Sequence, residues 1–208
     1  MIVAIDGPAG AGKGTLAKSL AAHLGYPHLD TGALYRATAL AVLRAGGDPD
    51  DPAAAERAAR SLDTAILDSP DLRSAEVGAA SSKVAAIPAV RAALLDFQRD
   101  FAHRPPGAVL DGRDVGTVVV PEAEAKLFVT ASAAVRAQRR HQELQERGEA
   151  SIYARVLADI EARDARDAGR ADAPMRKADD AVEIDTSDLS PSDVFKRALA
   201  VIEAAGTS

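Results

Sequence analysis

The stretch Gly7-Pro8-Ala9-Gly10-Ala11-Gly12-Lys13-Gly14-Thr15 follows a short apolar run at residues 2–5 and opens a helical pattern over residues 13–24. An apolar strand, a glycine-rich turn and a helix with lysine at its start form the context that a phosphate-binding loop requires. The glycines let backbone N–H groups converge on an anion without interference from a Cβ, and the helix N-terminus adds partial positive charge. Gly7, Gly10, Gly12 and Gly14 are therefore the expected cradle. Lys13 is placed to reach the β- and γ-phosphates of a nucleoside triphosphate, and Thr15 to offer its hydroxyl to Mg²⁺. In the common pattern the hydroxyl residue directly follows the lysine, whereas here Gly14 intervenes.

Further strands are predicted at residues 27–29, 108–110, 126–130 and 181–184. Helices are predicted over 33–43 with Thr31 as N-cap, after Ser132, from about 152, and after Ser190-Pro191. Short strands alternating with helices predict an α/β fold with a five-stranded parallel, doubly wound sheet. Between residues 48 and 106 the pattern changes to Ala-rich helical segments at 52–61, 72–86 and 88–101. This predicts one domain over residues 1–208, with a core at 1–47 and 104–208 and a helical insertion at about 48–103. The stretch 136–170 is dense in charge and broken by Gly148; its part at about 138–154, with Arg139, Arg140 and Arg147, is a candidate lid.

Composition narrows the partners. With 4 Phe, 3 Tyr and no Trp, the core must be aliphatic, and a stacking platform for single-stranded nucleic acid is not expected. There is no Cys, and the four His show no ligand-like spacing, so neither disulfides nor a thiolate metal site are expected. No leader and no long apolar span is apparent, which predicts a soluble cytoplasmic protein with no membrane partner. A net charge of −6 repels phosphorylated ligands at long range, so phosphate chemistry must rest on locally concentrated basic groups.

Two further clusters fit that requirement. Asp111-Gly112-Arg113-Asp114 follows the strand at 108–110, and ligands of open α/β sheets collect beyond the carboxyl ends of strands. Asp111 is then a candidate Mg²⁺ holder and Arg113 a candidate bidentate phosphate ligand. A plain turn with a local Arg113/Asp114 ion pair is the simpler reading of the same residues. Arg163, Asp167 and Arg170 stand at i, i+4 and i+7, sharing one face if the helix runs past Gly169. Taken alone, such a face is most simply a solvated one held by weak pairs.

Taken together, GPAGAGKGT, LDTGALYRATAL (29–40), SSKVAAIPAVRAAL (81–94), LDGRDVGTVVVPEA (110–123) and RDARDAGRADAPM (163–175) resemble the bacterial cytidylate kinases over nearly the whole chain. The Gly-Lys-Gly-Thr form of the loop is itself similar to nucleoside monophosphate kinases rather than to switch GTPases, and no Asn-Lys-x-Asp guanine-reading segment is present. The resemblance implies that ATP, with Mg²⁺ at Thr15 and Asp111, donates to CMP or dCMP. It implies that Arg36, Arg113 and Arg170 hold the acceptor phosphate. Ser82, Arg91 and Asp114 would read cytosine, Arg163 and Asp167 would meet the sugar, and Thr31 with Tyr35 would line the monophosphate pocket. The chain departs from many relatives at residues 63–72, which are too few for the small antiparallel sheet often found there. A monomer acting in pyrimidine nucleotide metabolism is the expected form. The alternatives are a P-loop kinase with a hydroxyl acceptor and a nucleotide-dependent switch. The first would favour a carboxylate base beside its acceptor, whereas three arginines suit a phosphate.

Overall fold

The computed structural model describes residues 1–206. Five strands, β1 (Ile2–Asp6), β2 (His28–Asp30), β3 (Ala108–Gly112), β4 (Ala125–Thr130) and β5 (Val182–Asp185), form one sheet in the order β2-β3-β1-β4-β5. β1 pairs in parallel with β3 and β4, and β4 with β5. Every residue of β1 and β3 is buried, as expected for central strands of a parallel sheet covered on both faces. From β1 the chain forms β2 and β3 on one side and then crosses to β4 and β5 on the other. The carboxyl end of β1 is thus a topological switch point, where open α/β sheets bind ligands.

The chain divides into two compact units, Met1–His28 with Ala102–Ser208, and Leu29–Phe101. In the first, α1 (Lys13–Leu24) and α8 (Pro191–Gly206) pack on the sheet through Leu16, Leu20, Val194, Ala198 and Ile202 against Val3, Ile5, Leu127 and Ile184. This aliphatic core is what the scarcity of aromatic residues dictates. Helix α1 stops where Gly25 takes the left-handed conformation at φ 69° and returns its N–H to Ala21. Helices α6 (Ala133–Glu146) and α7 (Tyr153–Ala168) pack on one another through Ala137, Val156 and Ile160. Ser132 caps α6, its hydroxyl accepting from the Val135 N–H.

The second unit holds α2 (Thr31–Arg44), α3 (Pro52–Arg60), α4 (Ala75–Val84) and nearly all of α5 (Pro88–Ala102). Ala37, Leu40, Leu72 and Val77 form its local core. Two 3-10 turns, Thr64–Asp68 and Pro70–Arg73, occupy the stretch expected to be too short for a sheet. The unit begins earlier than the expected insertion because α2 packs on α3 and α4. The cap of α2 also differs from expectation: Asp30, not Thr31, is the N-cap, its Oδ1 accepting from the Ala33 N–H at 3.0 Å. Thr31 is the first helical residue, since the carboxylate one position earlier is the stronger acceptor for the exposed N–H groups.

Candidate active site

The loop after β1 has the geometry that its glycines make possible. Gly7, Gly10 and Gly12 lie at φ 141°, 78° and 92°, and a Cβ on Gly7 would run into the Val129 carbonyl. Gly12 is the N-cap of α1 and, as a glycine, offers no side-chain oxygen to cap the helix. Lys13 is buried and donates from Nζ to the Pro8 carbonyl at 2.7 Å, which holds the ammonium over the loop. Thr15 is exposed on the first turn of α1.

Asp111 lies on β3 beside Ile5 of β1. A Cβ built on Gly14 would stand 4.0 Å from its Oδ2, so this carboxylate faces the start of α1, close in sequence to Thr15. Its Oδ1 meets His28 Nε2 at 2.7 Å. Sequence reasoning had found no role for the histidines; no local pattern marks His28, because its partner is 83 residues away. Among the described residues no group of three or more His, Asp or Glu could hold a metal by itself.

Asp6, at the end of β1, is a second residue missed by the sequence reading. Its two oxygens accept from the Val115 and Gly116 N–H groups, each at 2.8 Å, and so tie β1 to the π-helical turn at Val115–Val119. Burial pushes its carboxyl up to about 6. The two N–H groups and the Lys13 charge pull the other way, and neighbouring Asp114 adds to the rise. Asp114, 5% exposed, leads into the same turn, with its carbonyl accepting from Val118 and Val119.

Arg113 turns to Asp167, Nε to Oδ2 at 3.0 Å, and also donates to the Gly112 carbonyl. Asp167 is 1% exposed and is the hub of three arginines. Arg170 Nη2 donates to its Oδ1 at 2.5 Å, and Arg163 Nε stands 3.9 Å from Oδ2. Burial works to raise the Asp167 carboxyl, but Arg113, Arg170 and Arg163 together hold it below the usual carboxylate range. Helix α7 ends at Ala168 with Gly169 as its C-cap, so Arg170 lies beyond the helix. It still reaches Asp167 because it stands only three positions further along the chain, across the helix end. A solvated face is thus the wrong description of this segment: Arg170 and Asp167 side chains are 6% and 2% exposed.

In the Leu29–Phe101 unit, Arg36 forms an ion pair with Asp30, Nη2 to Oδ2 at 2.5 Å. Thr31 and Ser82 are buried, and so is Arg91, whose guanidinium lies 5.6 Å from the centre of the Tyr35 ring, a cation–π distance. The candidate lid arginines divide. Arg140 and Arg147 pair with Glu143, as on a solvated helix face. Arg139 instead donates to the side chain and carbonyl of Thr186, whose hydroxyl donates to the Ala11 carbonyl of the loop. Beside them opens a cavity of about 310 Å³, lined among others by Thr15, Leu16, Leu189, Val194 and Phe195.

The family model of cytidylate kinase matches residues 3–204. The cytidylate kinase of Xanthobacter autotrophicus is 61% identical over 204 residues, 98% of each chain. That of Methylocella silvestris is 59% identical over all of this chain and 96% of its own. Among solved structures, an uncharacterized protein from Eubacterium ventriosum (16% identity, TM-score 0.55, 100% of this chain and 99% of that one) shares the fold. So does a gluconokinase from Sinorhizobium meliloti (16%, TM-score 0.52, 99% and 93%). The match to the family model over residues 3–204, with relatives about 60% identical over nearly the full length, makes the chain a member of the cytidylate kinase family.

Proposed function

We propose that the chain transfers the γ-phosphoryl group of MgATP to the α-phosphate of CMP or dCMP, giving CDP or dCDP and ADP. The observation that carries this reading is the pairing of a Lys13 phosphate loop with arginines gathered on the buried Asp167. A phosphate acceptor is already ionised at neutral pH and needs no general base. Catalysis then reduces to positioning and neutralisation of charge. That accounts for a site built of Lys, Arg and Asp.

In this reading the Gly7–Thr15 backbone amides and Lys13 hold the donor phosphates, and Lys13 neutralises charge developing between β and γ. The mostly apolar cavity next to Arg139 takes the donor base. Thr15 and Asp111 would hold Mg²⁺, which would supply positive charge to offset that of the donor phosphates. Arg36, Arg113 and Arg170 hold the acceptor phosphate. Asp167 fixes two of them in advance, so less side-chain freedom is lost on binding. Arg163 and Asp167 meet the sugar, Thr31 lines the acceptor pocket, and Ser82, Arg91 and Asp114 read the base. A carboxylate at Asp114 accepts from the cytosine amine and repels the O4 carbonyl of uracil. The protein works as a soluble cytoplasmic monomer in pyrimidine nucleotide metabolism; among the described residues no helix is long and apolar enough to cross a membrane.

The test is ADP production from MgATP with CMP, dCMP, UMP, AMP, GMP, gluconate and shikimate offered separately. Turnover with CMP and dCMP far above the rest is expected. Turnover with a hydroxyl acceptor alone would overturn the reading.

A further inference from the structure

Arg136 lies in the first turn of α6, is 4% exposed, and has no part in the mechanism above. Its guanidinium is spent on three separate elements. Nε donates to the Ala131 carbonyl at the end of β4 (2.8 Å), and Nη1 to the Ala9 carbonyl of the phosphate loop (3.2 Å). Nη1 and Nη2 together grip the Asp164 carboxylate of α7, at 3.2 and 2.6 Å. Contact with the loop is close enough that a Cβ on Gly10 would stand 3.2 Å from Arg136 Cβ.

A peptide unit is rigid and trans, so its C=O and the next N–H point in opposite directions. Fixing the Ala9 carbonyl on Arg136 therefore aims the Gly10 N–H away from Arg136. Lys13 does the same for the Pro8 carbonyl, and the Thr186 hydroxyl for that of Ala11. Three peptide units of the loop, Pro8–Ala9, Ala9–Gly10 and Ala11–Gly12, thus have their orientations set by side chains, two of which, Arg136 and Thr186, come from outside the loop. On the other side, Asp164 stands one helical turn before Asp167 on α7, and residues three apart share a helix face. Whatever sets Asp164 sets the position of the carboxylate that gathers Arg113, Arg163 and Arg170.

We propose that Arg136 and Asp164 form a strut joining the phosphate loop to the Asp167 arginine cluster, which makes Arg136 a positioning residue for phosphoryl transfer. Through one guanidinium it holds the loop amides that receive the donor and the helix that carries the acceptor arginines. The strut rests on the reading that these two groups hold donor and acceptor phosphates. Only Arg has a planar fork able to satisfy Ala9 and Asp164 together; the single ammonium of Lys cannot span both.

The experiment compares Arg136→Lys, Arg136→Met, Asp164→Asn and the Arg136→Met/Asp164→Asn double variant at a temperature where each is folded by circular dichroism. kcat and KM for MgATP and CMP are measured for all. Arg136→Met is expected to lower kcat by about tenfold or more and to raise KM for both substrates, since misplacement of about 1 Å has costs of this order. Arg136→Lys recovers melting temperature without recovering kcat. The double variant is no worse than Arg136→Met, because either change breaks the same strut. Wild-type kcat and KM in folded Arg136→Met, full recovery of kcat by Lys, or multiplying effects in the double variant each overturn the proposal. Should Arg136→Met fail to fold, Arg136→Lys and Asp164→Asn decide it by the same criterion, wild-type kcat in both being fatal. A fully active Lys13→Ala variant would instead sink the underlying assignment of the loop.

Discussion

Replacing Asp6 by Asn isolates the cost of the carboxylate buried at the end of β1. Its carboxyl is raised from 3.8 to about 6, and at about 1.4 kcal/mol per tenfold change in proton affinity that is about 3 kcal/mol. The sign follows from which state holds the proton. Below pH 3.8 both folded and unfolded chains are protonated, and the stabilisation is fully present. Between there and about 6 the folded chain keeps a proton that the unfolded chain releases, so stability falls as pH rises. Asn cannot ionise and removes this dependence. Its amide also offers one oxygen where two N–H groups, of Val115 and Gly116, now have one each. The mispaired N–H costs about 1–3 kcal/mol at every pH. Urea unfolding of both proteins from pH 4 to 7 reads the difference directly, since all other groups are common to both. The advantage of the native protein over Asp6→Asn should shrink by about 2 kcal/mol across that range, the remainder of the change falling below pH 4. Parallel stability curves, or an advantage that grows with pH, would refute the argument.

Other substitutions test the chemistry. Lys13→Ala should lower kcat by about two to three orders of magnitude with little change in KM for CMP, since a fixed charge at the reacting phosphate is worth several kcal/mol; near-normal kcat in a coupled ADP assay would contradict this. Asp114→Asn should reduce the ratio of kcat/KM for CMP over UMP by about tenfold or more, a buried polar mismatch being worth about 1–3 kcal/mol. Equal losses on both substrates would mean that Asp114 supports the turn at Val115–Val119 and does not read the base. Arg36→Ala and Arg170→Ala should raise KM for CMP and slow transfer while leaving the choice of base unchanged; a loss confined to ATP affinity would reassign them.

Much of the fold is legible in the sequence because its determinants are local. Helix α1 begins at Lys13 and ends at Leu24 as its pattern and Gly25 require, and the central strands β1, β3 and β4 are largely apolar and buried. The phosphate loop is legible for the same reason: spacing along the chain is the geometry. Asp114 and the Arg163–Arg170 segment are assigned roles only through resemblance, since their local patterns also read as a turn and as a solvated helix. What the sequence conceals is long-range pairing. His28 meets Asp111, Asp6 meets Val115 and Gly116, and Arg136 meets Ala9 across 83, 109, 110 and 127 residues. The cap of α2 lies one position before the expected Thr31 because Asp30 and Thr31 both satisfy the local rule and the Asp30 carboxylate is the stronger acceptor.

The most direct test of the account is the fate of the transferred group. With [γ-³²P]ATP, Mg²⁺ and CMP, the label should appear in the terminal phosphate of CDP, one label for each ADP formed, with negligible labelled inorganic phosphate. Label released as inorganic phosphate at the same rate with or without CMP, and none in CDP, would contradict it.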